Sequence, residues 1–222
     1  MRLILKIFTV LLPWKLKRLF LCKWFEYEID ATAKIGLAWI FPQKLVMASG
    51  AKIGHFNVAV NLDKIILQEK ATIGRGNWIT GFSTLKETEH FVHEKNREST
   101  LMVGKHSAIT KNHHIDCTNL IKIGDFVTIA GYHSQFLTHS IDVYENRQCS
   151  KPIFIGDYAF IGTNTVVLGG AKLPDHCLLA AKSLLNKSHI ENWKVYGGVP
   201  ARIIADLPKD AKYFSRIIGF VN

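Results

Sequence analysis

Residues Ile155-Gly156-Asp157-Tyr158-Ala159-Phe160 run without a gap into Ile161-Gly162-Thr163-Asn164-Thr165-Val166. Then come Val167-Leu168-Gly169-Gly170-Ala171-Lys172, Leu173-Pro174-Asp175-His176-Cys177-Leu178 and Leu179-Ala180-Ala181-Lys182-Ser183-Leu184. Each hexad opens on an aliphatic and carries a small residue at its fifth position. A period of six fits neither a 3.6-residue helix nor a simple alternating strand. It fits a parallel β-helix with flat faces, in which one aliphatic per hexad points into a narrow core.

Working outward, Ile35-Gly36, Ile53-Gly54, Ile73-Gly74, Val103-Gly104 and Ile123-Gly124 each open a further hexad. The first two openings lie 18 residues apart, three hexads or one triangular coil. The later spacings of 20 and 30 read as one coil plus inserted residues. The glycines suit turn geometry that a side chain would hinder. The fold class is therefore all-β, a β-helix of hexapeptide repeats over residues 29–206. An N-terminal segment (1–28) precedes it and a short helical or extended tail (207–222) follows.

A chain of 222 residues with 48% hydrophobic content can bury a real core, most simply in one domain. The four cysteines, Cys22, Cys117, Cys149 and Cys177, are scattered without a CxxC pair. That argues against a zinc ribbon or a disulfide framework and suits a reducing cytoplasm. The formal net charge is +10. No nucleic-acid module is recognisable, which leaves an anionic membrane surface or a polyphosphate cofactor as the partner of that charge.

Residues 3–12 (LILKIFTVLL) are apolar except for Lys6 and Thr9, and Pro13 follows. The next stretch, WKLKRLFLCKWF, mixes aromatics and leucines with Lys15, Lys17, Arg18 and Lys23. The apolar run is too short to span a bilayer, and no small-residue cleavage site follows it. A basic, aromatic-rich amphipathic helix suits an interfacial anchor. The same helix would cap the open end of the first coil, and the two roles are compatible. Two insertions break the repeat, Phe82–Thr100, which carries His90 and His93, and Ser140–Pro152. Long loops on a regular scaffold tend to carry function, so both are expected to wall an acceptor pocket.

The repeat, together with Thr138-His139 before the second insertion and Gly197-Gly198-Val199-Pro200-Ala201-Arg202 after the last coil, resembles the hexapeptide-repeat acyltransferases. That resemblance covers residues 29–206 and implies a left-handed β-helix. Physics alone would favour right-handed crossovers. The segments LLPWKLKR, TGF, HIDC and THSID look most like the branch found in bacterial polysaccharide-biosynthesis clusters. The resemblance then implies transfer of an acetyl group from acetyl-CoA to a saccharide or lipid-linked saccharide hydroxyl. The enzyme would be cytoplasmic, with peripheral contact at the inner face of the membrane, and a homotrimer whose sites are shared between copies.

His139 matches the family's general base. A hydroxyl ionises far above pH 7, so a neutral imidazole must take its proton as it attacks the thioester. The oxyanion needs a donor, and the matching backbone N–H belongs to Thr163. One coil earlier, Asn112, His114 and Asp116 are expected to orient the acceptor, with His114 beneath Ser134. His114 is the rival base, and Asp116 has a second reading, orienting a histidine. By the same resemblance Phe160, Ala181, Lys182, Asn186, Lys187 and Arg202 are the cofactor-binding candidates.

Other classes stay open at this point. Cys117 with His114 would suit an acyl-enzyme. His113, His114, His133 and His139 invite comparison with γ-class carbonic anhydrases, but their spacing departs from that pattern, and no metal is expected. A non-catalytic scaffold would need neither His139 nor Arg202. An N-acyltransferase acting on an amino sugar or an antibiotic would keep the same machinery.

Overall fold

The computed structural model describes residues 2–86, 88–219 and 221. Met1, Glu87, Phe220 and Asn222, which fall in the N-terminal segment, the first insertion and the tail, lie outside the described residues. The hexads form a left-handed parallel β-helix. Among the described residues its three faces are sheets of seven, nine and seven strands. The first coil shows the plan. Glu28–Ile29 lies on the first face, Lys34–Ile35 on the second and Trp39–Ile40 on the third.

Register follows from the inward aliphatics, which sit directly over one another so that each buries its neighbour. On the second face Ile35, Ile53, Ile73, Ile109, Ile129, Ile161 and Leu179 form one continuous stack ending on Tyr196. All eight are buried. On the third face Ile79, Ile115, Phe136, Val167 and Leu185 do the same.

The aliphatic-glycine pairs do not lie on one face. Ile73 stacks on Ile109 of the second face, whereas Val103 stacks on Leu67 of the first. The 30-residue spacing therefore shifts the glycine from one edge to another and is not a coil plus insertion. The glycines also serve a different purpose from the one expected. Gly54 and Gly74 do not have positive φ. A Cβ on Gly54 would stand 2.2 Å from the carbonyl oxygen of Gly74, so the residue is small because adjacent coils touch there. Many of the left-handed corner positions fall instead to side-chain-bearing residues, including Asn112, His133, Asn164 and Lys182.

The edge where the first face turns into the second carries rings at such positions on successive coils. His106 and Phe126 stack at 5.0 Å, Phe126 and Tyr158 at 4.7 Å, Tyr158 and His176 at 5.2 Å, and His176 and Trp193 at 4.5 Å, with interplanar angles of 15° or less. The C-terminal tail closes over this ladder. Phe214 packs edge-on against Trp193, and the Arg216 guanidinium lies 3.9 Å from the Tyr213 ring. Gly219 N–H donates to His106 Nδ1 at 3.2 Å.

At the other end the basic segment forms two helices, not one, broken at Pro13: α1 (Arg2–Leu11) and α2 (Trp14–Trp24). Proline fits the start of a helix but not its interior. Helix α2 caps the first coil. Lys17 Nζ donates to Gly36 O at 2.7 Å, and Arg18 donates to Ile29 O at 2.7 and 3.0 Å. These cations satisfy carbonyls that have no coil beneath them. Burial brings the Lys17 ammonium down to about pH 8. Strand Arg202–Asp206, paired antiparallel with Lys194–Gly197, closes the far end.

Candidate active site

His139 stands where the third face turns towards the first, immediately after strand Gln135–Leu137. Its Nδ1 lies 2.7 Å from Asp116 Oδ2. The carboxylate is buried and accepts further bonds from the Thr138 and His139 backbone N–H groups at 3.0 and 3.1 Å, and from Thr118 Oγ1 at 2.6 Å. Burial alone would raise the Asp116 pKa. The bonds from His139 and Thr118 outweigh it and hold the carboxyl below its ordinary range. The same bond raises the His139 pKa above the usual histidine value, against the opposing effect of burial. A carboxylate on Nδ1 fixes the tautomer that leaves Nε2 free for a substrate proton.

Asp116 was expected beside an acceptor together with Asn112 and His114. Its carboxylate instead faces the histidine, which is the second of its two readings. The coil register explains the pairing. Between Ile129 and Gln135 the upper coil holds one residue more than the coil below, so the offset grows from 20 to 21. Asp116 therefore lies under Leu137, two residues before His139, and His114 lies beneath Gln135 and not Ser134.

The insertions build the surroundings. The first folds back so that Phe82 and Phe91 present edges to the His139 ring at centroid distances of 5.8 and 6.4 Å. Arg97 holds this loop in place by donating to the carbonyls of Phe82 and Thr118 and lying over the Phe91 ring. The second insertion is a hairpin, His139–Asp142 against Arg147–Ser150. Glu94 ties the two together by accepting from Ser150 N–H at 2.7 Å and from the Ser150 hydroxyl. A cavity of about 560 Å³ opens beside His139, lined by Asn61, Thr80, Phe82, Lys86, His114 and Leu137 among others. Of these, Asn61, Thr80 and Lys86 were not singled out from sequence. Thr80 lies in coil register with Asp116, whereas Lys86 is brought in by an irregular loop that no repeat encodes.

The remaining candidates divide between two edges. Thr163, Ala181 and Lys182 sit together where the second face turns into the third, with Lys182 N–H bonded to Thr163 O at 3.0 Å. Phe160 faces outward on the second face, meeting Tyr213 edge-on. Asn186 and Lys187 follow strand Leu184–Leu185 on the His139 side, and Arg202 begins the closing strand, all three exposed. Asn112 is at the Thr163 edge and lines a depression of about 420 Å³ that it shares with Trp78, His114, His133 and Gln135. Thr163 contacts Tyr132. The extended run from Tyr132 to His139 puts the width of the third face, of order 20 Å, between Thr163 and His139 of one chain.

One rival chemistry loses its nucleophile and the other loses one of its histidines. Cys117 is fully buried, and burial raises its thiol well above the ordinary range, so a thiolate nucleophile is disfavoured there. His113 is also buried, bonded at one nitrogen to Thr110 Oγ1 and at the other to Ser134 N–H, and burial pushes it down to about pH 4. No group of three His, Cys, Asp or Glu side chains among the described residues is arranged to hold a metal.

The fold and the repeat agree with solved structures. A hexapeptide-repeat-containing acetyltransferase from Vibrio cholerae superposes with a TM-score of 0.51 at 27% identity, over 64% of this chain and 73% of that one. The structure of that protein complexed with acetyl coenzyme A gives the same TM-score at 26% identity, over 64% and 70%. By fold and repeat, the chain is similar to these hexapeptide-repeat acetyltransferases of known structure. A structure at lower identity shares the fold alone: an N-acyltransferase mutant from Bacillus cereus, solved with dTDP-4-amino-4,6-dideoxyglucose and coenzyme A, has a TM-score of 0.53 at 11% identity over 85% of this chain and 88% of that one. Among curated proteins, "Putative acetyltransferase YvoF" of Bacillus subtilis is 36% identical over 77 residues, 35% of this hexapeptide-repeat chain. The match spans 43% of the length of that relative. No family model matches the chain.

Proposed function

We propose that the protein transfers an acetyl group from acetyl-CoA to a saccharide hydroxyl, with His139 as general base. The observation that carries this reading is the Asp116–His139 pair at the wall of the cavity. The acceptor hydroxyl gives its proton to His139 Nε2 as its oxygen attacks the thioester carbonyl. The tetrahedral intermediate collapses, breaking the carbon–sulfur bond, and the imidazolium returns the proton to the CoA thiolate. Asp116 stabilises that imidazolium and does not itself take the proton. An aromatic edge at Phe82 beside Asn61, Thr80 and Lys86 suits the mixed apolar and polar faces of a sugar. His114, which lines the cavity, fits the acceptor side, whereas Asn112 lies at the opposite edge of the face.

The Thr163 N–H is the proposed oxyanion donor, and the separation of Thr163 from His139 within one chain is the reason to propose a trimer. Copies standing side by side bring one chain's His139 edge against another's Thr163 edge. In that arrangement Phe160, Ala181, Lys182, Asn186, Lys187 and Arg202 would hold the cofactor, with the basic side chains towards its phosphates. The cytoplasm, where acetyl-CoA is made, is the proposed location. An amino-sugar acceptor uses the same groups but needs less of the base, because a neutral amine is already nucleophilic.

Calorimetric titration with acetyl-CoA, followed by thiol-release assays across a panel of sugars and amino sugars, tests the reading. Saturable binding near one per subunit and release dependent on a sugar lacking an amine are expected. A folded oligomer that binds no acetyl-CoA overturns it. Release with amino sugars only moves the chemistry to nitrogen.

A further inference from the structure

Helix α1 is amphipathic in the wrong direction for a mere cap. Leu3, Ile4, Ile7, Phe8 and Leu11 fall at the i, i+1, i+4, i+5, i+8 spacing of one apolar stripe. A helix recruited only to cover a core would turn that stripe inward. Here all five are exposed, Ile4 at 73% and Leu11 at 71%, whereas Thr9 is completely buried and Lys6 packs over the Phe41 ring. Leu16, Leu19 and Trp24 of α2 add to the outward surface.

The cations of α2 divide in two. Lys17 and Arg18 point to the carbonyls of the first coil, while Lys15 and Lys23 are exposed on α2. Residues 1–25 contain six lysines and arginines and no acidic residue. Lys34 and Lys52, exposed on the second face of the first two coils, extend the positive surface.

We propose that this end of the molecule docks onto an anionic lipid bilayer, α1 lying in the interface with its apolar stripe among the acyl chains and Lys15 and Lys23 at the headgroups. Large exposed apolar patches need a partner. Two copies of this patch would set Lys15 and Lys23 of one against the same two cations of the other, which disfavours self-association. A lipid surface supplies apolar depth and negative charge together. No helix among the described residues is long and apolar enough to cross a membrane, so the contact is in-plane. Where three copies stand side by side about a common axis, their capped ends face one plane and the three contacts reinforce each other. The inference goes beyond the transferase reading and does not depend on it.

The test is sedimentation of the full chain with vesicles of phosphatidylcholine alone or mixed with phosphatidylglycerol. Binding to the anionic vesicles that weakens with salt is expected. Replacing Ile4→Asp and Leu11→Asp together should weaken it at least roughly tenfold, and Lys15→Gln with Lys23→Gln roughly thirtyfold. Folding and acetyl-CoA titration, measured on the same samples, should not change, so failure of the docking and failure of the transferase reading are separable. A folded protein with no preference for anionic vesicles overturns the proposal, as do variants that bind like the parent. A smaller assembly size in the aspartate variant, without any vesicle effect, assigns the stripe to contact between copies.

Discussion

Two edges of the same prism have opposite characters. Along the first edge each coil from Lys105 onward adds a ring at the same left-handed position, and the tail seals the column from His106 to Trp193. Along the third edge the repeat is broken twice, and a cavity opens there beside His139, Asp116 and Phe82, with Phe91 packed against the His139 ring. Uninterrupted repetition yields contacts between identical positions, which stabilise but present nothing new. Interruption brings together residues that the repeat would keep apart. Stability and chemistry should therefore separate by edge.

The sharpest test of that separation is His139→Ala. Turnover should fall about 10³-fold, while acetyl-CoA affinity stays near that of the parent and melting temperature falls only by the contribution of the Asp116–His139 pair. A large loss of stability instead would erase the distinction between the edges. Next comes Asp116→Asn, expected to lower turnover about 10²-fold and to shift the pH profile. The parent's His139 is raised by Asp116, so the neutral base accumulates only above the ordinary histidine range, and activity should rise with pH there. The variant's acidic limb should move to lower pH. The stabilising effect of the pair runs the other way, being complete below the unfolded histidine pKa and lost as pH rises through the raised folded value. Turnover against pH and melting temperature against pH would each show one of these trends.

On the ladder edge, Tyr158→Ala should cost about 2 kcal/mol by opening a gap between Phe126 and His176, read as a lower denaturation midpoint with near-normal turnover per folded protein. Arg216→Ala should cost less, about 1 kcal/mol, because it loosens only the tail. Loss of turnover without loss of stability in either variant would mean that the tail reaches the reactive groups.

The hexad made the β-helix legible because every inward aliphatic meets its counterpart locally, coil by coil. What escaped was anything set by an insertion. The shift of the aliphatic-glycine pair from second face to first was hidden in a 30-residue spacing that does not say where its extra residues lie. One added residue before Gln135 displaced His114 and brought Asp116 to His139. Phe82 and Phe91 sit in irregular chain, where no period predicts direction. The stripe on α1 was readable, but not that it faces away from the core.

The reversed strand Arg202–Asp206 has a consequence for the life of the protein in a crowded solution. A stack of parallel coils is an open template at each end, able to accept another chain's coil and grow into a fibre. Here the final strand runs against the direction of the coils beneath it and the first coil's carbonyls are taken by Lys17 and Arg18. Both ends of the coil stack therefore offer less of the pairing that its own middle uses.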